Sequence, residues 1–416
     1  MNESYDVIII GCGTSCGFLI SFLKEKKFVN FPKILIIEKN PVLFKKILAT
    51  GNGRCNFSNL SFSKENYYSI SADLSWREKV FNKILNLDLK KYFYDNGIFY
   101  SFDEYGRVFP YTKSSKTITN YFISNIKSSD VNLMLNTEVK KVLKIKDGYK
   151  LLIYNKQNLK EDFVNTKVLI FACGGKAYPK FGTDGKCFEI LKDLGHNCTK
   201  ILCGIVPLVT ETKDFYVLEG IKMECGVKYK SFYRKGEVLF TNYGISGPNV
   251  LYISNLVSIE LQKGKVVLEI DFLPEKYMTL DFYKNIFYKK NGCSLTEIFS
   301  GSLNEKFINV VIAKIFGKTF DVKKKTSLQD LEKFYFGIKN YKMTVVKTKT
   351  FDEAQVSIGG ISCNEINEET FESTINSGIY FMGEVIDFTG GCGGYNIHFC
   401  AVCGKTVSDE IYKRFG

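Results

Sequence analysis

The sequence predicts an α/β protein: a doubly wound parallel sheet interrupted by a mostly-β insertion that carries a helical segment. Three observations predict it. The chain opens on a strand–turn–helix–strand unit within residues 6–38. Unbroken apolar strands of the same kind return at 167–172 and 378–382, far apart in the chain. Between them, after His196, the texture changes to short alternating strands and then to a helix-prone stretch. The expected layout is one discontinuous domain of residues 1–195 and 351–416, with an inserted domain of 196–350 whose helical part runs from about 275 to 340.

The elements follow in order. Residues 6–10 form a buried strand whose run Val7-Ile8-Ile9-Ile10 is continuously apolar, as in a parallel strand covered on both faces. A glycine-rich turn follows, then helical periodicity from Phe18 to about Phe28 and a β-branched strand at 33–38. Residues 139–153 alternate about Lys146-Asp147-Gly148, and Asp-Gly between alternating runs marks a hairpin. Pro248 suits a first helical position, with Ser246 or Gly247 near the cap. Residues 281–337 are rich in Lys, Phe and Tyr and favour helices, and a last helix is expected over about 396–414.

Composition narrows the function classes. At 416 residues the chain exceeds the usual size of one domain. Apolar residues at 45% and charged residues at 24% exclude a disordered or fibrous chain. No apolar run reaches the ~18 residues a membrane helix needs, and the N-terminal apolar run lacks the length and basic flank of a signal peptide. No membrane association and a cytoplasmic location are expected. Thirteen cysteines, an odd count, fit reduced thiols better than a disulfide framework. With two histidines, His196 and His398, no metal centre is expected. Net charge is +13, and residues 262–350, with 17 Lys against 9 Asp and Glu, hold +8 of it. That stretch suits RNA as a partner. The alternative is a solvated face in a Lys-rich composition, since only five basic residues are Arg.

The first chemical motif is Gly11-Cys12-Gly13-Thr14-Ser15-Cys16. After a strand and before a helix, such glycines let backbone N–H groups meet a pyrophosphate, with the helix N-terminus adding positive potential. Cys16 stands where a third Gly or Ala usually sits. Glu38 ends the next strand, 25 residues after Gly13, where a carboxylate accepts both hydroxyls of an adenosine ribose and repels a 2′-phosphate. The site is therefore expected to take FAD or NAD rather than NADP.

The second motif runs Lys46-Ile47-Leu48-Ala49-Thr50-Gly51-Asn52-Gly53-Arg54-Cys55-Asn56. Here the sequence resembles the BaiN/YhiN-like flavoproteins, also called aminoacetone oxidase-like, whose pattern runs E-K and then K-I-L-x-S-G-x-G-R-C-N. Glu38-Lys39 and residues 46–56 match it, with Thr50 for Ser. The likeness continues through residues 103–110 (DEYGRVFP), 172–179 (ACGGKAYP), 240–248 (FTNYGISGP), 357–361, 378–387 (GIYFMGEVID) and 393–396 (GGYN). Cys173 replaces a Thr, and Thr389-Gly390-Gly391-Cys392 precede Gly393.

The resemblance implies a glutathione-reductase-like fold holding extended FAD. Gly11, Gly13, Thr14, Ser15 and Cys16 would surround the pyrophosphate, and Glu38 with Lys39 the adenosine ribose. Val139 would meet adenine through its backbone, and Gly383-Glu384 the ribityl chain. Gly394, Tyr395 and Asn396, at the last helix's N-terminus, would stabilise charge at the flavin N1–C2=O edge. The loop 51–56, with Gly53, Arg54, Cys55 and Asn56, would run beside the isoalloxazine, and Lys46, Cys173 and Gly174 would also contact the cofactor. Catalytic candidates are Arg54, Cys55, Asn56, Tyr395 and His398, the last weighed against a purely structural histidine. A flavin–dithiol relay is not expected, since Cys55 stands alone in its loop, and Cys400-x-x-Cys403 is read as helix packing. The family name has been attached to amine oxidation, bile-acid reduction and dihydrouridine formation in ribosomal RNA. Two classes follow. One reduces an activated C=C with electrons from NADH, the substrate being a uridine in ribosomal RNA. The other acts on a small amine or ketone.

Overall fold

The computed structural model describes residues 3–211, 213–290 and 292–416. The chain divides into two compact units, Met1–Gly204 with Ala354–Gly416, and Ile205–Glu353. Along the chain the first unit contributes β1 (Glu3–Ile10), α1 (Thr14–Lys24), β2 (Ile34–Ile37) and β3 (Ser58–Asn59). Next come α2 (Leu74–Asn86), α3 (Leu89–Asp95), β4 (Tyr100–Phe102), β5 (Arg107–Pro110), α4 (Ser115–Lys127) and β6 (Val131–Met134). The hairpin β7 (Thr137–Ile145) and β8 (Gly148–Asn155) leads into β9 (Lys160–Phe171).

The second unit comprises β10 (Leu208–Thr210), β11 (Lys222–Tyr229), β12 (Phe232–Thr241), β13 (Gly244–Ser246), α5 (Pro248–Glu260) and β14 (Val266–Asp271). It continues with α6 (Leu280–Lys289), α7 (Leu295–Phe299), α8 (Glu305–Phe316), α9 (Leu328–Lys339) and β15 (Tyr341–Thr348). The chain then returns to the first unit for β16 (Ile379–Phe381) and α10 (Tyr395–Phe415).

In the first unit β6, β2, β1, β9 and β16 lie side by side and parallel, and β9 continues into an antiparallel edge with β8 and β7. The whole of β2 and residues 7–10 of β1 are buried. Their unbroken aliphatic runs are what a sheet covered on both faces requires. The helix α1 begins at Thr14, earlier than periodicity alone indicates, because its first turn is small and polar and carries no apolar stripe. It packs on α4 and α10.

The second unit closes β10, β13, β12, β11, β14 and β15 into a six-stranded barrel, with α5 to α9 beside it. Phe215, Phe240, Phe272 and Phe307 stack in its core. Pro248 is the first residue of α5 and Gly247 its cap. Among the lysines of the 262–350 stretch that make ion pairs are Lys263, Lys265, Lys284, Lys314, Lys339, Lys342 and Lys349. Four of their partners, Glu260, Glu211, Asp214 and Glu353, come from outside that stretch, so folding offsets part of its +8.

Candidate functional site

The strands β1, β2 and β9 end at the rim of a solvent-open cleft, the position where open parallel sheets bind ligands. Ile10, Ile37 and Ala172 form its floor, and the turn Gly11–Ser15 enters it directly. At Gly11 the backbone has φ +94°, and a Cβ there would stand 2.8 Å from the carbonyl oxygen of Ala172, so only glycine lets β1 and β9 stay paired up to the turn. The N-terminus of α1 has no side-chain cap, leaving its first-turn amides facing the cleft.

Glu38 is fixed in place. One carboxylate oxygen accepts the Cys12 N–H at 2.8 Å, and the other accepts the backbone and side-chain N–H groups of Asn40, both at 2.8 Å. Its position thus ties the glycine turn to the end of β2. Lys39 pairs with Asp184 at 2.8 Å. Burial opposes ionisation of Asp184, yet Lys39 and Lys186 outweigh it and hold its carboxyl below the usual range. Further along, Lys46 binds Glu384 at 2.7 Å, while the other Glu384 oxygen accepts the N–H and hydroxyl of Ser357 at 2.7 and 2.8 Å. Val139, Cys173 and Gly174 line the same cleft.

The structure therefore gathers Gly11, Gly13, Thr14, Ser15, Glu38, Lys39, Lys46, Val139, Cys173, Gly174 and Glu384 around one cleft. The remaining residues lie elsewhere. Cys16 is buried with its thiol against that of Cys12, and Gly383 sits beside Ser15 and Cys400. Gly53, Arg54, Cys55 and Asn56 belong to a loop joined to the N-terminus of α10 instead. The Asn56 amide, oriented to satisfy its neighbours, donates to the Ser58 and Val108 carbonyls and accepts the Gly394 N–H at 3.0 Å. Gly394 has φ +94°, and any Cβ would run into the Ser58 carbonyl, so this junction requires glycine. Asn396 closes the preceding loop by pairing both amide atoms with the Gly390 backbone at 2.8 Å.

Three of the catalytic candidates are held by packing. Cys55 is fully buried, and burial pushes its thiol up to about 12. The Tyr395 ring packs on Phe62 and Tyr67, and its hydroxyl accepts from Asn66 at 2.9 Å. His398 is buried, with Nε2 3.1 Å from the Ile84 carbonyl and Nδ1 2.9 Å from the Ser58 hydroxyl. A carbonyl only accepts, so Nε2 carries the proton and Ser58 donates to Nδ1. Burial lowers the His398 pKa to about 4, which makes it a neutral structural histidine. Arg54 differs. Its Nε donates to the Gly51 carbonyl at 3.1 Å, its guanidinium lies 4.9 Å over Phe109, and it has no carboxylate partner among the described residues.

The sequence reading passed over Asn40, Glu138 and the wall formed by residues 181–187, and it read Cys400, which also lines the cleft, only as helix packing. The paired glycines of Phe181-Gly182-Thr183-Asp184-Gly185 were a local sign of that wall; Asn40 and Cys400 carry none.

Comparison with known proteins bears on this geometry. The profile described as "HI0933-like protein Rossmann domain" matches residues 5–410. The chain belongs to this family. It is an FAD-dependent oxidoreductase of Rossmann-type fold, in agreement with the motif resemblance. Among curated relatives, a protein named 3-dehydro-bile acid delta(4,6)-reductase from Clostridium scindens is 26% identical, with 98% of each chain covered. Proteins named ribosomal RNA dihydrouridine synthase are 26% identical in Escherichia coli (95% of each chain) and 28% in Haemophilus influenzae (96% of each). Two solved structures share the fold. A quinol-fumarate reductase gives a TM-score of 0.53 at 12% identity, covering 100% of this chain and 72% of its own. The 3-ketosteroid delta1-dehydrogenase of Sterolibacterium denitrificans gives 0.52 at 11%, covering 99% and 100%. Among the described residues, no helix of this HI0933-like chain is long and apolar enough to cross a membrane.

Proposed function

We propose that this protein reduces an activated C=C bond with electrons from NADH, and that the bond belongs to a uridine presented by ribosomal RNA. The cleft fits FAD: uncapped α1 amides suit a pyrophosphate, and Glu38 has acceptor capacity left for ribose hydroxyls. In this reading Val139 borders adenine, Glu384 faces the ribityl chain, and Gly394 to Asn396 approach the flavin edge. Bound FAD supplies the two-electron chemistry. The chain's own part is orientation and charge: Lys46 pairs with Glu384 and aims its carboxylate, and Arg54, with no carboxylate partner among the described residues, offers N–H donors to a polarised carbonyl or a phosphate.

The reductive direction is supported by the two relatives' names, since both a delta(4,6)-reductase and a dihydrouridine synthase saturate a ring C=C. One observation carries the choice of RNA. The second unit exposes Tyr277, Phe282, Tyr288 and Phe336 among Lys276, Lys289 and Lys290, which have no carboxylate partner among the described residues. Exposed rings among unpaired cations suit stacked bases and phosphates. The bile-acid reductase favours a second reading, a small enone substrate, in which this surface is only solvated.

Salt-dependent RNA binding by the holoprotein separates the two. Replacing Lys323, Lys324 and Lys325 together by Glu should weaken RNA binding and flatten its log–log salt dependence, by about 0.7 per lost contact on a single strand, with flavin content unchanged. Wild-type RNA affinity no better than that of a neutral control protein would leave the small-enone reading.

A further inference from the structure

A second surface of exposed aromatic rings lies in the first unit, beside the loop that carries Arg54. The strands β4 and β5 pair antiparallel, with Ser101 opposite Phe109, and the Tyr111 N–H donates to the Phe99 carbonyl at 2.8 Å. Directly opposed residues of such a pair share a face, as do residues two apart. Phe99, Tyr111 and Phe109 are therefore on one face. Phe99 and Tyr111 are 63% and 70% exposed, while Phe109 is covered by the Arg54 guanidinium. Tyr94 extends the row, edge-on to Phe99 at 5.6 Å between centroids.

The ledge is rigidly built. The Ser115 N–H donates to the Gly53 carbonyl at 2.7 Å, fastening the segment after Tyr111 to the Arg54 loop. Its charge is positive. Arg54, Lys113 and Lys116 have no carboxylate partner among the described residues, and Asp103 is taken by Arg107 at 2.7 Å. Glu104, in the distal turn, is the opposing charge.

We propose that this ledge takes an unpaired RNA segment, with successive bases stacking on Phe99 and Tyr111 and the backbone phosphate meeting Arg54 and Lys113. This rests on the RNA reading above, and apart from Arg54 it names residues that reading does not use. Exposed flat rings flanked by unpaired cations match single-stranded nucleic acid, whose bases all offer a stacking face and whose every linkage is anionic. A duplex hides those faces, so the ledge discriminates against it.

The test titrates fluorescein-labelled oligouridine into the holoprotein, followed by anisotropy, beside a duplex RNA of equal length. Oligouridine should bind more tightly than the duplex. Phe99→Ala and Tyr111→Ala should each weaken it on the order of tenfold with the salt slope and flavin content unchanged, and Tyr111→Trp should restore it. Lys113→Gln should lower the log–log salt slope by about 0.7. Wild-type-like binding by the Phe99→Ala/Tyr111→Ala pair, with binding lost in the Lys323–Lys325 variant, would overturn the ledge and leave the RNA reading standing. Absence of any wild-type RNA binding would remove that reading and the ledge with it. A dimer that the alanine pair converts to monomer, with RNA binding unchanged, would mark the rings as a contact between copies and also overturn the proposal.

Discussion

Glu38 makes three hydrogen bonds within the protein, so its carboxylate is oriented by the fold. In the proposed reading a ribose would meet a preformed acceptor, and little side-chain entropy would be lost on binding. Glu38→Arg places a cation where hydroxyls must donate and also unpairs the Cys12 and Asn40 amides. Flavin retained per protein after desalting should fall well below wild type, and Glu38→Gln should fall between the two. Full occupancy in the Arg variant would place Glu38 away from the cofactor. His398 makes a different kind of prediction. Its pKa is about 4 in the fold against 6.5 in an unfolded chain, so below 6.5 the unfolded state binds the extra proton. Stability is complete above pH 6.5 and declines as pH falls towards 4, by roughly 3 kcal/mol from this group alone. Burial also lowers His196, which adds a decline of the same sign. Thermal melts across that range should show a steep loss for wild type and a shallower one for His398→Gln. Equal slopes would mean His398 is already charged in the fold.

The helix α1 separates a packing role from a ligand role over four residues. A Cβ at Gly17 would stand 2.6 Å from the Phe122 ring of α4, so Gly17→Ala forces two helices apart. At Gly13, where φ is −98°, a Cβ would have no protein atom within 4 Å. Its only neighbour is the cleft. Gly17→Ala should therefore lower the melting temperature of flavin-free protein, at a cost of about 1–3 kcal/mol for overpacking. Gly13→Ala should leave that temperature near wild type and still weaken flavin retention about tenfold or more. If Gly13→Ala retains flavin normally, the turn does not cradle the pyrophosphate.

Across the whole molecule the described residues form one glycine-rich βαβ unit, and the second unit is a closed antiparallel barrel with helices. Among the described residues neither offers a separate dinucleotide domain for a nicotinamide, so in the proposed reading the electron donor visits the flavin transiently. In the proposed reading that donor is NADH. Anaerobic stopped-flow bleaching of the flavin band should be faster with NADH than with NADPH. A clear NADPH preference would refute this.

The sequence by itself determined the elements whose signals are local. The strand, turn and helix of residues 6–24, the Asp147-Gly148 hairpin, the Pro248 helix start and the last helix each depend on a few adjacent residues. Their periodicity and turn chemistry are already present in the unfolded chain. Only the tertiary structure decided what depends on distant residues meeting. Lys46 and Glu384 are 338 positions apart, and nothing near either shows that they form an ion pair. The same holds for the neutrality of His398, which burial beside Ile84 imposes, and for Arg54, freed of carboxylates while its loop is pinned to Gly394. Burial and pairing act through space, and sequence order does not encode those distances.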